Sequence, residues 1–296
     1  MKLKVYVILI FCVSLWASNF IIGALLVNYW SALHVTVYRL LCICLFLGIL
    51  GFPTIRKARI RPKQWLLLCI AAILGVSINH FSFFKSLETT SPITAAYILA
   101  LTPIMTGIIN RVVRGEKKGW LFWLGSIISF TGVGLIISAK QGASASFGVG
   151  EIFSFCTMLS FAIFLVLLDV LRKELDSFSV TFFTSFIGCL ALLPFLSFAP
   201  IVPRQSADLP IILLLIISAI LVHGVSNLVW NANQHKVGST NAAILLNLEP
   251  IITMVLSAVI LHALIHSSQI IGGTLVLIGI LISVVLSDKI KHSDSL

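Results

Sequence analysis

The chain has 296 residues, of which 59% are hydrophobic and only 10% charged, with a formal net charge of +10 and a mean hydropathy of +1.10. A water-soluble globular domain is excluded, since such domains are about half apolar and about a quarter charged; the class is a polytopic membrane protein. The basic excess does not point to nucleic acid, because Lys and Arg gather in alternate loops between apolar runs.

Apolar runs of the length a helix needs to cross roughly 30 Å of hydrocarbon recur from end to end. The first, 5–27, follows two lysines and resembles a secretory leader. Apolar character continues past residue 20 without a small-residue cleavage site, so it is expected to stay as the first span; it carries Trp16 and Asn19. The second, 32–51, holds Arg39, the one basic residue well inside a span. The third, 65–84, carries Asn79 and His80, and the fourth, 92–111, carries Thr102 and Pro103. The fifth, sixth and seventh are 120–138, 149–171 and 178–198, of which the fifth has few polar side chains. The eighth, 210–231, holds Asn227, Trp230 and Asn231, and the ninth, 239–261, holds Asn247, Glu249 and Pro250. The tenth is 268–287. The expected fold is all-α integral membrane with ten transmembrane helices. Six cysteines all fall inside these runs and read as small apolar side chains.

With the N-terminus inside, 16 of the 20 Lys and Arg residues fall on the cytoplasmic side, in clusters such as Arg56, Lys57, Arg59, Arg61 and Lys63. Only Lys85, Lys140 and Arg204 fall outside. The bias predicts that both termini are cytoplasmic.

The chain also repeats itself. A shift of 147 positions carries Pro103 onto Pro250, Ala95 and Ala96 onto Ala242 and Ala243, Thr106 onto Thr253, and Gly125 and Gly132 onto Gly272 and Gly279, without a gap. Two units are expected, 1–147 and 148–296. Five spans per unit is an odd number, so the second unit would begin on the opposite side and be inverted. Inverted repeats are a construction of secondary transporters.

The stretches "LWASNF" (15–20), "YRLL" (38–41), "FFKSLETTSPITAAYILALTPIMTGII" (83–109), "RGEKKGW" (114–120), "LLNLEPIITMVLSAVIL" (245–261) and "QIIGGTLVLIGILI" (269–282) resemble, in order and in duplicate, the paired EamA-type repeats of the drug/metabolite transporter superfamily. The resemblance covers nearly the whole chain. It implies a ten-helix exporter or uptake carrier of the bacterial plasma membrane and leaves the substrate open. One departure concerns the Gly-Glu pair after the fourth helix, Gly115-Glu116. Its second-half equivalent is His262-Ala263, so an acidic role at that position is absent.

The polar residues inside the spans carry the functional expectation. Pro103 and Pro250 remove the helical donors to the carbonyls of Leu99 and Leu246, and paired interruptions near mid-span point to a binding site. A structural kink is the alternative. An ionisable group near a helix centre costs roughly 2.5 to 3.5 kcal/mol on insertion scales unless it meets water or a partner. Glu249 is therefore either a proton acceptor in a cavity or a clamp to Arg39. Arg39 in turn either receives an anionic substrate group through its planar fork or pairs with Glu249. Thr102, the repeat mate of Glu249, offers a hydroxyl instead of a carboxylate. Asn19, Asn79, His80, Asn227, Asn231 and Asn247, with Trp16 and Trp230, suggest a wet cavity with aromatic walls between spans one, three, four, six, eight and nine. Spans five and ten read as packing elements.

His262 and His266 have a chelating spacing but no catalytic Glu, and no metal or other cofactor is expected. No P-loop pattern is present. The expected function is secondary transport of small metabolites by alternating access, outward, of amino-acid-like or other small polar or amphipathic compounds. Its partners would be the metabolite, membrane lipid and a coupling proton, with no nucleic acid. A membrane scaffold or sensor, or an enzyme acting on lipid, are the rivals.

Overall fold

The computed structural model describes residues 2–138, 148–198, 206–237 and 239–286. Lys140, Arg204, Lys289 and Lys291, which enter the topology argument, lie outside the described residues. Every regular element among the described residues is helical. Those elements are α1 (Lys2–Leu26), α2 (Ala32–Lys57), α3 (Pro62–Leu87), α4 (Pro92–Arg114), α5 (Trp120–Ser138), α6 (Val149–Leu171), α7 (Ser177–Phe198), α8 (Leu209–Trp230), α9 (Ser239–Leu246), α10 (Leu248–Ile260) and α11 (Ser267–Val284).

Nine of these helices, α1 to α8 and α11, are long and apolar enough to cross a membrane among the described residues. The expected ninth span differs. Residues 239–261 form two pieces that meet at Asn247, and the predominantly apolar stretch is the shorter Ile244–Ile260. The cause is local: Pro250 cannot donate to Leu246, and the polar start "STN" contributes no apolar surface. The second span runs on to Lys57, past the expected end at 51, after a bend at Gly51, whose φ of −110° and ψ of 15° are not helical.

Side chains cap the helix ends. Gln64, Glu151 and Gln269 reach back to the backbone N–H groups of Arg61, Gly148 and His266 at 2.7, 3.0 and 3.0 Å. Ser91 and Asp176 accept from the N–H groups of Thr94 and Ser179 at 3.1 and 2.8 Å. Each bond satisfies a donor that the first turn of a helix leaves open. At the far end of α4, Gly115 takes a left-handed φ of 69°, the conformation that ends a helix and that glycine adopts without strain.

Three spans contain a π-turn among the described residues: Ile73–Ile78 in α3, Ala219–Val225 in α8, and Leu281–Leu286 at the end of α11. The shift of 147 carries the first into the second. A π-turn widens the helix and leaves local carbonyls available. Trp16 uses one of them, donating its indole N–H to the Val222 oxygen at 3.1 Å.

The helices close around several apolar clusters. One joins α4, α5, α6 and α11 through Tyr97, Leu101, Phe122, Ile136, Met158 and Val276. Another joins α1 to α4 and α8 through Phe20, Val35, Phe84, Ala96 and Leu215. The tightest approach is between α5 and α11, which run antiparallel. Gly132 lies against Gly272, and Gly125 against Gly279. A methyl group on Gly132 would stand 2.5 Å from the Gly272 oxygen, and one on Gly272 2.6 Å from the Gly132 oxygen. Between these glycine pairs Ser129 donates to the Val276 oxygen at 3.1 Å. Small residues let the two backbones meet, as in other membrane helix pairs.

Candidate functional site

Arg39 stands on α2 and is fully buried. The residues around it come from three other helices. Its Nη1 donates to Ser218 Oγ of α8 at 2.5 Å, and its Nη2 to Asn19 Oδ1 of α1 at 2.8 Å. The same Nη2 lies 3.4 Å from His223 Nδ1 on α8, and the guanidinium carbon sits 5.4 Å from the centroid of Phe84 on α3. Its Nε has no partner. All of these neighbours are neutral or weakly basic, so the guanidinium is hydrogen-bonded but its charge is not balanced.

The alternative in which Arg39 clamps Glu249 is not realised. Ion pairs among the described residues join Lys85 to Glu88, Arg114 to Asp169, and Lys118 to Glu116, near helix ends, and none joins Arg39 to Glu249. Glu249 lies at the start of α10, partly exposed, next to the buried line of Pro250, Thr253 and Ser257. Thr253 Oγ1 donates to the Glu249 carbonyl at 2.9 Å and lies 3.4 Å from the Ala17 oxygen on α1. Ala17 and Asn19 are two residues apart, so one turn of α1 faces the Glu249 helix on one side and Arg39 on the other.

His80 of α3 and His223 of α8 face each other with ring centroids 5.1 Å apart, and His80 Nδ1 is buried without a partner. His223 and Ser218 were not singled out by sequence reasoning. The available signal was an ionisable residue one helical turn before Asn227 inside a span. Trp16 and Trp230 pack at 5.0 Å between centroids, and Trp230 donates to Gln234 Oε1 at 2.8 Å. Asn247 sits at the break between α9 and α10, with Nδ2 buried and unpartnered.

Other expected members are occupied elsewhere. Asn79 gives its amide to the Thr157 oxygen at 2.9 Å and Ser160 Oγ at 3.2 Å, which ties α3 to α6. Asn227 donates to the His223 carbonyl of its own helix at 2.9 Å. Thr102 donates to the Leu99 oxygen at 2.5 Å, beside Pro103. The side chain of Asn231 lies outside the described residues. The structure thus brings together Arg39, Asn19, His80, Trp16 and Trp230 with α1 at their centre, and leaves Asn79 as a link between helices. No group of three or more His, Cys, Asp or Glu placed to hold a metal exists among the described residues.

Comparison with known proteins agrees with this architecture. The EamA-like transporter family matches residues 3–138 and 148–285. The uncharacterized transporter YyaM of Bacillus subtilis is 27% identical over 94% of this chain and 93% of its own length. An uncharacterized transporter of Synechocystis is 27% identical over 79% of this chain and 68% of its own. A solved crystal structure superposes at a TM-score of 0.68 and 16% identity, over 97% of this chain and 99% of that one, which is a likeness of fold. With the family matched over both halves of a chain whose helices are built to cross a bilayer, this protein belongs to the EamA-like transporter family and is a multi-pass membrane transporter.

Proposed function

We propose that this transporter is a secondary carrier of ten spans, built from two inverted five-helix units at 1–147 and 148–296, that exports small polar or amphipathic metabolites by alternating access. Both termini would be cytoplasmic, in a bacterial plasma membrane. The observation that carries the reading is the contact of α5 with α11. Ser129 and Val276, hydrogen-bonded to each other, are related by the same shift of 147 that aligns the halves. Exchanging the halves turns the contact of Gly132 with Gly272 into that of Gly279 with Gly125. Reciprocity of this kind is the mark of a two-fold axis. Because the two helices run antiparallel, such an axis lies across them, in the plane of the membrane, as inverted repeats require.

The other helices support the same reading. As α3 packs on α6, α8 packs on α1; as α4 packs on α6, α10 packs on α1; and α2 packs on its own counterpart α7. The paired π-turns and paired proline breaks then supply matching joints in the two units, around α1 and the Arg39 cluster. Arg39 lacks a carboxylate and Glu249 lacks a cation, so each is free to serve something that moves. We assign Arg39 to an anionic group of an amino-acid-like substrate and Glu249 to a coupling proton.

The test compares metabolites outside cells that carry the wild type, Glu249→Gln or an empty vector, at matched membrane abundance. Accumulation of one compound class outside only with the wild type is the expected result. Accumulation inside instead would reverse the direction, and wild-type export by Glu249→Gln would remove Glu249 from the mechanism.

A further inference from the structure

The exposed apolar surface between α2 and α7 holds a groove that lies outside the Arg39 and Glu249 site. A groove of about 610 Å³ runs between the two helices, lined by Leu45, Gly48, Ile49 and Phe52 of α2 and by Phe182 and Phe186 of α7. The two phenylalanine rings stack nearly parallel, 5.8 Å apart with 9° between their planes, and form one wall. Gly48 keeps the floor low. The groove extends along α2 from Leu41 to Phe52, which at 1.5 Å per residue is about 16 Å. One leaflet of the hydrocarbon layer is about 15 Å thick. A single acyl chain therefore fits its length.

Its mouth is basic. The α7 helix runs antiparallel to α2: Phe178 fills the space beside Gly51, and Phe182 lies beside Gly48. The end of α2 thus meets the start of α7. Arg56 follows Phe52 by four residues, on the same side of the helix, and Lys57 ends α2. Arg172 and Lys173 lie in the short segment that leads into α7, and all four cations are exposed. Arg59, Arg61 and Lys63 extend the cluster. Two acids lie nearby, and both are engaged: Glu174 accepts from Gln64 at 2.6 Å, and Asp176 caps α7. The local balance stays strongly positive.

We propose that this groove is a binding site for an anionic phospholipid, with one acyl chain between α2 and α7 and the phosphate headgroup held by Arg56, Lys57, Arg172 and Lys173. An apolar slot of one-leaflet length that opens onto exposed cations at headgroup level matches both halves of such a molecule. A zwitterionic lipid would fill the slot and gain nothing at the mouth.

Native mass spectrometry of the full-length protein in detergent, with equal amounts of phosphatidylglycerol and phosphatidylcholine of identical chains, tests this. The wild type is expected to retain about fivefold more phosphatidylglycerol, the ratio that one effective cation contact supplies. Replacing Arg56, Lys57, Arg172 and Lys173 together by Gln should bring the two lipids to parity. The same change at Arg111 and Lys117, in a different basic segment, should leave the preference intact. Gly48→Leu should lower retention of both lipids, because a side chain there meets only Phe182, at 3.5 Å, and fills the slot. Inorganic phosphate in tenfold excess should displace neither. Equal retention by the wild type, a preference that survives the fourfold substitution, unchanged retention in Gly48→Leu, or displacement by phosphate would each overturn the proposal.

Discussion

The hydroxyl of Thr102 donates to the carbonyl oxygen of Leu99 at 2.5 Å, the acceptor that loses its helical donor because residue 103 is proline. The break in α4 is thus closed by its own neighbour. At the corresponding break the residue before Pro250 is Glu249, which when ionised has no proton to donate. The two halves share a kink and differ in what completes it.

Thr102→Val should therefore destabilise the protein by about 1 to 3 kcal/mol, the cost of leaving a buried acceptor unmade, while Thr102→Ser, which keeps the hydroxyl, should stay close to wild type. Thermal unfolding of the purified protein in detergent reads both. Loss in Thr102→Ser with Thr102→Val close to wild type would mean that the methyl group, not the hydrogen bond, matters at this position.

The α5–α11 contact gives a second prediction with an internal control. Gly132→Ala puts a methyl group 2.5 Å from a backbone oxygen that has no room to yield and should cost about 1 to 3 kcal/mol. Gly134 is two residues away on the same helix with nothing within 4 Å of a methyl group. Gly134→Ala should be neutral or stabilise by up to about 1 kcal/mol, as Ala replaces Gly in a helix. Similar melting temperatures for the two variants would contradict the close approach.

Arg39 bonds to Ser218 and Asn19 through two different nitrogens of one planar group. A lysine has a single charged nitrogen and cannot reproduce that fork. Arg39→Lys is expected to reach the membrane, lose about 1 to 3 kcal/mol of stability and export at least about tenfold more slowly. Flux and unfolding measured on the same preparation separate the two effects. Wild-type flux in Arg39→Lys would reduce Arg39 to a structural bolt.

Glu249 as the proton site makes a prediction in proteoliposomes. Wild-type transport should respond to an imposed pH difference, and Glu249→Gln should lose that response while still exchanging substrate for substrate. A pH response retained in Glu249→Gln would direct attention to His80 and His223, the other titratable pair near Arg39.

Both ends of the chain should report from the cytoplasm when fused to a topology reporter. Signals from opposite sides would contradict two units of five spans each, and external signals from both ends would keep the inversion but overturn the orientation read from the basic residues.

The membrane class, the position of most spans, the 147-residue shift and the membership of a transporter family were all legible from the amino-acid sequence, because each rests on local composition or on matching residue types along one chain. Helix rotation and partner choice were not. Asn79 and Arg39 are alike in being polar groups inside spans, yet packing turns Asn79 toward Thr157 and Ser160 of α6 and places Arg39 between Asn19, Ser218 and Phe84. Hydropathy records that a polar group must face inward and says nothing of which helix it meets. His223 entered the site for the same reason: the π-turn at Ala219–Val225 and the packing of α8 against α2 bring it to His80 and Arg39, and those are properties of several helices together. Pro250 marked a break in advance, but only the folded chain decides that α9 and α10 part at Asn247 and that Thr102 mends the equivalent break, since a hydrogen bond is made by geometry and not by spacing alone.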